Sequence, residues 1–179
     1  MSAGQGEMCR DVNYGVNINK SDEFNGIPLH HACWKSSIAY TELLLKMDAD
    51  IHTPQSGKKP LYEVYRHDKV ECAEILLKYH ANVNAVATNE MTPLCVACEY
   101  ASIPCIKLLL NIGTDVNFAT VRGTALHEAC LKGGPECILL LIYTGTDLNA
   151  RDFEGTTPLH TASFRNHTVC LGLFLKGFS

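Results

Sequence analysis

The chain has 179 residues, a formal net charge of −4 at pH 7 and 46% hydrophobic residues. This charge gives no general reason to expect nucleic acid or an anionic membrane as a partner. The longest wholly apolar run, residues 137–143, is far shorter than the ~20 residues that cross a bilayer. Residues 1–7 lack a basic segment followed by an apolar one. We therefore expect no membrane span, no secretory signal, and a cytoplasmic location with the nucleus as an alternative.

A short motif, Pro-Leu-His-x-Ala, recurs along the chain with few changes. Its five copies start at residues 28, 60, 93, 125 and 158, which are 32 or 33 residues apart. Proline at the first helical position loses no hydrogen bond, so the motif predicts the start of a helix. Each start is followed fifteen residues later by an aliphatic triplet, at residues 43–45, 75–77, 108–110, 140–142 and 173–175. The triplets predict a second helix in each repeat, packed on the first.

A turn precedes each copy, and residues 147–162 show the arrangement most completely. Asp152 and Gly155 bound a predicted turn, and Thr157 before Pro158 predicts a capped helix start. An acidic-aliphatic-Asn tail leads into this turn and recurs in earlier repeats. We expect the tail asparagines to close the turn through side-chain to backbone bonds; they are Asn84, Asn117 and Asn149.

A ~33-residue period with a turn, Thr-Pro-Leu-His-x-Ala and two helices resembles the ankyrin-repeat family from about residue 15 to the last residue. The resemblance implies an all-α solenoid of about five helix-turn-helix repeats with short β-hairpin-like turn tips. Residues 1–21 form an N-terminal segment with the remnant of a preceding repeat, and residues 22–179 form the ankyrin-repeat domain. Its repeats cover about 22–53, 54–86, 87–119, 120–150 and 151–179. In this family the motif histidine is structural and bonds the neighbouring backbone, a role that falls to His30, His127 and His160.

Repeats one, two and five depart from the pattern. Ile27 replaces the capping Thr of repeat one, so its first helix should start less sharply. Repeat two has Tyr62 in place of the His and Val64-Tyr65 in place of two small residues, which predicts a bend or soft joint there. Repeat five has no following repeat to cover its outer helix, and terminal repeats normally carry a polar outer face.

The nine cysteines could indicate a disulfide or metal framework, but most of them occupy repeat slots. Three stand five residues after a repeat start and four stand twelve after, where free Cys acts as a small hydrophobe. Equivalent positions of stacked helices lie ~8–10 Å apart, which is beyond the ~7 Å Cα limit for a disulfide. We therefore expect reduced structural thiols, no metal and no cofactor.

Two local patterns suggest catalysis and are better explained by the repeat. His127-Glu128-Ala129-Cys130 would need a second His at position 131 to form a zinc-protease helix, and Leu131 stands there. Cys95 and Cys98 form a Cys-x-x-Cys pair without partner ligands nearby in the sequence. An enzyme would also need a convergent polar pocket, so we expect a protein without catalytic activity.

Within the ankyrin family, the sequence is most similar in pattern to the ankyrin-repeat and SOCS-box proteins. The residues that carry this similarity are 95–98 and 127–130, each followed seven residues later by a cysteine, Cys105 or Cys137. That subfamily implies the target-recruiting part of a cullin-type ubiquitin ligase. Elongins B and C and the cullin would bind only through a C-terminal SOCS box, which residues 1–179 lack. A scaffold or inhibitor without a ligase role is the alternative.

The ankyrin resemblance also implies a possible hydroxylation by a 2-oxoglutarate oxygenase, for which Asn117 fits best, with Leu109 and Asp115-Val116 before it.

The binding surface implied by the family is the concave face, which comprises the turn tips and the exposed ends of the inner helices. Read by offset from the repeat starts, its candidate partner-binding residues are Phe24, Trp34, Lys35, Lys58, Arg66, His67, Met91, Glu99, Tyr100, Leu131, Lys132, Phe153, Phe164 and Arg165. Aromatic and arginine side chains often anchor interfaces. The bases outnumber the acids on this face, which favours an acidic or phosphorylated protein segment as partner. The alternative is that each aromatic packs on the next repeat.

Overall fold

The computed structural model describes residues 16–23, 26–52, 60–87 and 90–176. These ranges contain ten α-helices in five consecutive pairs, which confirms the all-α repeat architecture. The helices are α1 Pro28–Trp34, α2 Ile38–Lys46, α3 Pro60–Arg66, α4 Val70–Lys78, α5 Pro93–Glu99, α6 Ile103–Asn111, α7 Ala125–Lys132, α8 Pro135–Tyr143, α9 Pro158–Phe164 and α10 Thr168–Lys176. In the described part of the chain none is long and apolar enough to span a bilayer.

The helices form two layers. The first helix of each repeat packs on the first helix of the next, in the order α1, α3, α5, α7 and α9, and this is the inner layer. The second helices, α2, α4, α6, α8 and α10, pack on one another in the same order as the outer layer. Each described repeat therefore packs its two helices on each other and on the helices of the adjacent repeats, as expected of a solenoid.

The inner helices begin as their sequences predict. Thr92 caps α5 by accepting a hydrogen bond from the Cys95 amide at 3.2 Å. Ile27 precedes α1 and provides no side-chain cap, and the less sharp start expected for this helix stays a prediction. At α7 and α9 the third helical residue is the motif His, and its ring bonds back to the capping Thr.

A tight turn with one recurring bond connects the two helices of each repeat. The carbonyl of the motif's small residue accepts a hydrogen bond from an amide five residues later, as in a Schellman motif. Examples are Ala32 to Ser37 at 2.9 Å and Ala129 to Gly134 at 3.1 Å. The turn needs a left-handed residue, and only in repeat four is this a glycine, Gly133. The corresponding residues elsewhere are Ser36, Asp68, Ala101 and Asn166.

Two side chains of the tail accept hydrogen bonds, and the role predicted from the sequence for the asparagine is wrong. The first polar residue of the tail closes the turn, since the Asp115 carboxylate accepts a bond from the Asn117 amide at 2.9 Å and Asp147 acts in the same way on Asn149. The tail asparagine instead reaches the next repeat. Asn117 Oδ1 accepts bonds from the Asp147 amide at 2.7 Å and from the Thr146 hydroxyl at 3.3 Å. The prediction that Asn117 closes its own turn was therefore wrong.

The core runs as one cluster from Leu29 to Phe174. Divergent repeat two contributes two fully buried side chains, Val64 and Tyr65, in slots that are small elsewhere. The tips are hairpin-like: Ala87 bonds Met91 and Asp152 bonds Thr156, both at 3.0 Å through the backbone. The bend or soft joint predicted at repeat two stays a prediction.

Candidate functional site

Most of the predicted partner-binding residues lie at the carboxyl ends of the inner helices. Those at these ends are Trp34, Lys35, Arg66, His67, Glu99, Tyr100, Leu131, Lys132, Phe164 and Arg165, each within a residue of its helix end. Phe153 lies in the tip of repeat five, and Phe24 and Lys58 lie outside the described residues. The concave face thus presents one cluster of side chains from each inner helix.

Met91 does not belong to the exposed part of this face, and its assignment there was wrong. Its side chain is 2% exposed and packs in the core. It faces Leu61 and Tyr62 of the preceding repeat, together with Ala87 of its own tip. The backbone bond between Ala87 and Met91 closes this tip, and both residues line a small cavity together with Leu61 and Tyr62 of repeat two.

Contacts between neighbouring repeats join the helix ends into a row. The Arg66 guanidinium lies over the Tyr100 ring, 5.6 Å from its centre. The Lys132 ammonium lies 3.3 Å from a carboxylate oxygen of Glu99. Tyr100 therefore packs on the preceding repeat, whereas the alternative interpretation placed each aromatic on the next repeat. Trp34 and Phe164 differ, because each pairs with the cation that follows it in the chain.

The charge of the concave face is less uniform than the residue list suggested. Lys132 is paired with Glu99, and the Arg66 guanidinium lies 4.0 Å from Glu63, a residue that the offsets did not select. Lys35 and Arg165 contact aromatic rings at 4.2 and 5.9 Å. Exposed ion pairs contribute little stability, but they lower the local positive charge that a partner meets.

A groove of about 490 Å³, which we call the tip groove, lies between the tips of repeats four and five. Its apolar walls are Val121, Leu131 and Phe153, and its polar lining includes Arg122, His127, Glu128, Asp152, Glu154 and Thr161. A backbone bond of 3.3 Å from the Phe153 amide to the Val121 carbonyl holds the two tips together. Phe153 is 83% exposed and forms a free apolar edge.

The floor of the tip groove holds an ion pair between the buried Glu128 and the partly exposed Arg122. Glu128 is 3% exposed, and its Oε1 accepts a hydrogen bond from Arg122 Nε at 3.0 Å and lies 2.9 Å from Arg122 Nη2. Burial lowers the pKa of Arg122, but the hydrogen bond and charge of Glu128 outweigh it and raise the pKa above its ordinary value. The other oxygen, Oε2, is buried and has no hydrogen-bond partner among the residues that the structure describes.

The offsets missed Arg122 and Glu128 for a simple reason. Arg122 stands three residues before a repeat start and Glu128 three after, and neither slot was taken as part of the concave face. Glu128 was considered only as part of a zinc-protease pattern. An available signal was that repeats four and two carry an acidic residue, Glu128 and Glu63, at the variable position of the motif.

The motif histidine of repeat four has the structural role that the resemblance implied. His127 Nδ1 accepts from the Thr124 amide at 3.1 Å, and Nε2 donates to the Thr156 carbonyl at 3.0 Å. His160 lies against Thr157 in the same way, with Nδ1 2.6 Å from the hydroxyl oxygen. These rings therefore fix helix starts and tips.

The described cysteines are free and buried. Burial raises the pKa of Cys33 and of Cys130 to about 12, and that of Cys98 well above its ordinary value. Such thiols stay protonated and are poor nucleophiles. Within the described ranges, no group of three or more His, Cys, Asp or Glu residues is placed to hold a metal ion.

Comparison with known proteins agrees with this architecture. The family model for ankyrin repeats matches residues 1–87, 29–120, 64–152 and 119–179, which together span the chain. Human ankyrin repeat and SOCS box protein 11 is 37% identical over 68 residues, which are 38% of this chain and 21% of that protein. The Danio rerio protein of the same name is 32% identical over 104 residues, 58% of this chain and 36% of that protein. Dog inversin is 31% identical over 166 residues, 86% of this chain and 15% of inversin. The chain thus spans only a minor part of each relative.

Proposed function

The chain belongs to the ankyrin-repeat family, a family of protein-interaction modules, and we propose that it binds a protein partner on its concave face. The observation that carries this proposal is the exposure of aromatic side chains at the ends of inner helices. Trp34 is 47% exposed and Phe164 is 86% exposed, although each is the last residue of a helix whose other apolar residues are mostly buried. Large exposed aromatics next to cations are typical of interface anchors.

The partner that suits Lys35 and Arg165 is an acidic or phosphorylated protein segment. In the described contacts these two cations lie over aromatic rings and not against carboxylates. A partner's carboxylate or phosphate can approach them while an apolar neighbour packs on Trp34 or Phe164. Arg66 and Lys132 support this partner less, because carboxylates of the chain already lie beside them.

A narrower proposal is that the chain recruits targets to a cullin-type ubiquitin ligase. It is supported by the similarity to ankyrin repeat and SOCS box protein 11 over 68 residues. In this proposal the repeats hold the target, and elongins B and C and the cullin bind a SOCS box, a segment that residues 1–179 do not include. A scaffold or inhibitor that uses the same face without a ligase is the alternative. The buried free thiols favour a reducing compartment, in line with a cytoplasmic or nuclear location.

Site-specific photocrosslinking in cells tests the concave face. A photoreactive phenylalanine analogue replaces Phe164 in one variant and Trp34 in another. The matched control is Tyr143, which is as exposed as Phe164 but ends an outer helix. We expect one partner band from Phe164 and Trp34 and none from Tyr143. Crosslinks that form only at Tyr143 would place the binding surface on the outer layer.

The ligase role needs a separate test. A form extended by a SOCS box is expected to co-purify with elongins B and C, whereas residues 1–179 alone are expected to bind the target only. Tight elongin binding by residues 1–179 would contradict this division of roles. If the extended form crosslinks to its target but binds no elongin, the scaffold or inhibitor alternative is favoured.

A further inference from the structure

We propose that the tip groove binds a basic side chain, arginine or lysine, from a protein partner, with an apolar neighbour of that residue packed on Phe153. The inference rests on the proposed function, because the tip groove is part of the concave face. It differs from the acidic segment proposed for Lys35 and Arg165, which lie outside the groove lining. A single extended partner can present an acidic part to those cations and a basic part to the groove.

The charge of the tip groove favours a cation. Its lining carries three carboxylates, on Glu128, Asp152 and Glu154, against one guanidinium, on Arg122. Asp152 Oδ1 accepts two backbone bonds that close its turn, from Glu154 at 2.9 Å and Thr156 at 2.8 Å, which leaves its negative charge in place. A cleft lined by one sign of charge concentrates ligands of the opposite sign.

Glu128 supplies the specific contact. A carboxylate offers about four acceptor positions on two oxygens, and here two nitrogens of the Arg122 guanidinium, Nε and Nη2, both approach Oε1. Within the described parts of the chain, Oε2 is buried without a donor, which is costly for an ionised group. A guanidinium that meets both oxygens in parallel makes the stronger, bidentate arrangement. The carboxylate is therefore better suited to a second, incoming arginine than to Arg122 alone.

Arg122 occupies the position of the partner's cation when no partner is bound. It sits on the tip of repeat four, and its side chain is 44% exposed, so it can swing away without disturbing the core. Displacing Arg122 opens Glu128 to the groove, and the walls formed by Leu131 and Phe153 then cover the aliphatic part of the incoming side chain. Arg122 and the partner thus compete for one carboxylate.

An acidic residue in the tip groove is disfavoured on the same grounds. It would lie among three carboxylates and could pair only with Arg122, at the cost of leaving Glu128 buried without its partner. Lys132, which follows the groove residue Leu131 in the chain, is already paired with Glu99. Removing Arg122 should therefore have opposite effects on the affinity for a basic partner and on the affinity for an acidic one.

The experiment uses the full 179-residue chain and a phage-displayed library of random 12-residue peptides as probe. We expect the enriched peptides to carry Arg or Lys beside an aromatic or aliphatic residue. Fluorescence anisotropy of the strongest peptide should show a loss of about tenfold or more in affinity for Glu128→Gln, which removes a charge-assisted bond. Phe153→Ala should also weaken binding. Arg122→Gln should tighten it, and Glu74→Gln, on the exposed side of α4, should leave it unchanged.

The exposed positions keep the test valid if Glu128→Gln unfolds, since Phe153 and Glu154 are exposed and can be changed without touching the core. Acidic enriched peptides, weaker binding by Arg122→Gln, or full affinity in both Phe153→Ala and Glu154→Gln would each overturn the inference. If binding then depends on Trp34 or Phe164, the proposed function stands and only the groove's occupant is wrong. Binding that depends on Tyr143 alone, or a library that yields no binder, counts against both.

Discussion

His127 and Thr156 join two repeats through one hydrogen bond. The ring Nε2 of His127, on α7, donates to the Thr156 carbonyl in the tip of repeat five over 3.0 Å. The opposite nitrogen, Nδ1, accepts from the Thr124 amide at 3.1 Å at the start of the same helix. Since a carbonyl oxygen can only accept, the ring carries its proton on Nε2. One buried side chain therefore holds a helix start and the next tip in register.

The first prediction concerns this residue. His127→Ala leaves the Thr124 amide and the Thr156 carbonyl without their partner, and a lost buried hydrogen bond of this kind costs ~1–3 kcal/mol. We expect a lower urea midpoint for unfolding. The matched control is His52→Ala, since His52 is exposed and should change stability by less than ~0.5 kcal/mol. Equal midpoints for the two variants would show that the His127 bonds carry no net stability.

The second prediction compares two neighbouring leucines of α6. Leu109 is fully buried, whereas Leu108 only packs partly against the core. Truncating a buried leucine leaves a cavity and costs ~2–5 kcal/mol. Leu109→Ala should therefore lower the free energy of unfolding by this amount, and Leu108→Ala by clearly less. Denaturant titration followed by circular dichroism measures both. An equal loss would mean that the two side chains share the burial.

The sequence predicts the helices and their order well, because the repeat imposes the same slots in each unit. The capping Thr92, the Pro at helix starts and the buried triplet members all depend on local pattern, and the structure places them as expected. The motif His also follows, because its role depends on a fixed neighbour at the helix start. Local spacing is sufficient for these features.

The candidate site is harder to predict because side-chain direction depends on the neighbouring repeat. Met91 occupies a tip slot, yet its side chain is buried and lines a small cavity with Leu61 and Tyr62 of the preceding repeat. Glu128 looks like an ordinary helix position, and only the approach of Arg122 makes it the floor of a groove. Asn117 likewise bonds across to Asp147, which the spacing within one repeat cannot show.

The third prediction concerns the cysteines. Eight of the nine lie in the described part of the chain, and all eight are buried and free. We expect these thiols to react slowly with a thiol reagent in the native protein. After denaturation without reductant, nearly all nine thiols should react. Metal analysis should find no zinc, and a stoichiometric zinc content would contradict the assignment of these residues as structural thiols.

The same thiols predict a loss of stability at high pH. Burial raises the pKa of Cys33 and Cys130 to about 12 and that of Cys105 to about 11, from an ordinary value of 9.0. At a pH between the ordinary pKa and the raised pKa, these thiols have lost their protons in the unfolded chain but keep them in the native protein. The free energy of unfolding therefore falls as pH rises through this range. The stability that the protonated thiols contribute is fully present below pH 9. In thermal melts, the melting temperature should decline from about pH 9 upward. For Cys130→Ala this decline, measured from the variant's own melting temperature at pH 7, should be smaller.

The last prediction is that Asn117 is hydroxylated by a 2-oxoglutarate oxygenase. The resemblance singled out this residue through Leu109 and the Asp115-Val116 pair before it. In the structure Asn117 is exposed, but its Oδ1 is held by the Asp147 amide and Leu109 is fully buried in the core. An enzyme that reads both residues must therefore act on a locally opened repeat, which local unfolding provides.

Because the modification requires local opening of the repeat, it should depend on the stability of the neighbouring structure as well as on Asn117 itself. Peptide mass spectrometry of the chain coexpressed with such an oxygenase should detect a mass increase of one oxygen on Asn117, and Asn117→Ala should abolish it. Leu141→Ala removes a fully buried side chain from α8 and leaves the residues around Asn117 unchanged. Because it destabilises the neighbouring repeat, it should increase the modified fraction. An unmodified Asn117 in both proteins would exclude the modification, and equal fractions would show that the enzyme reads the folded tail.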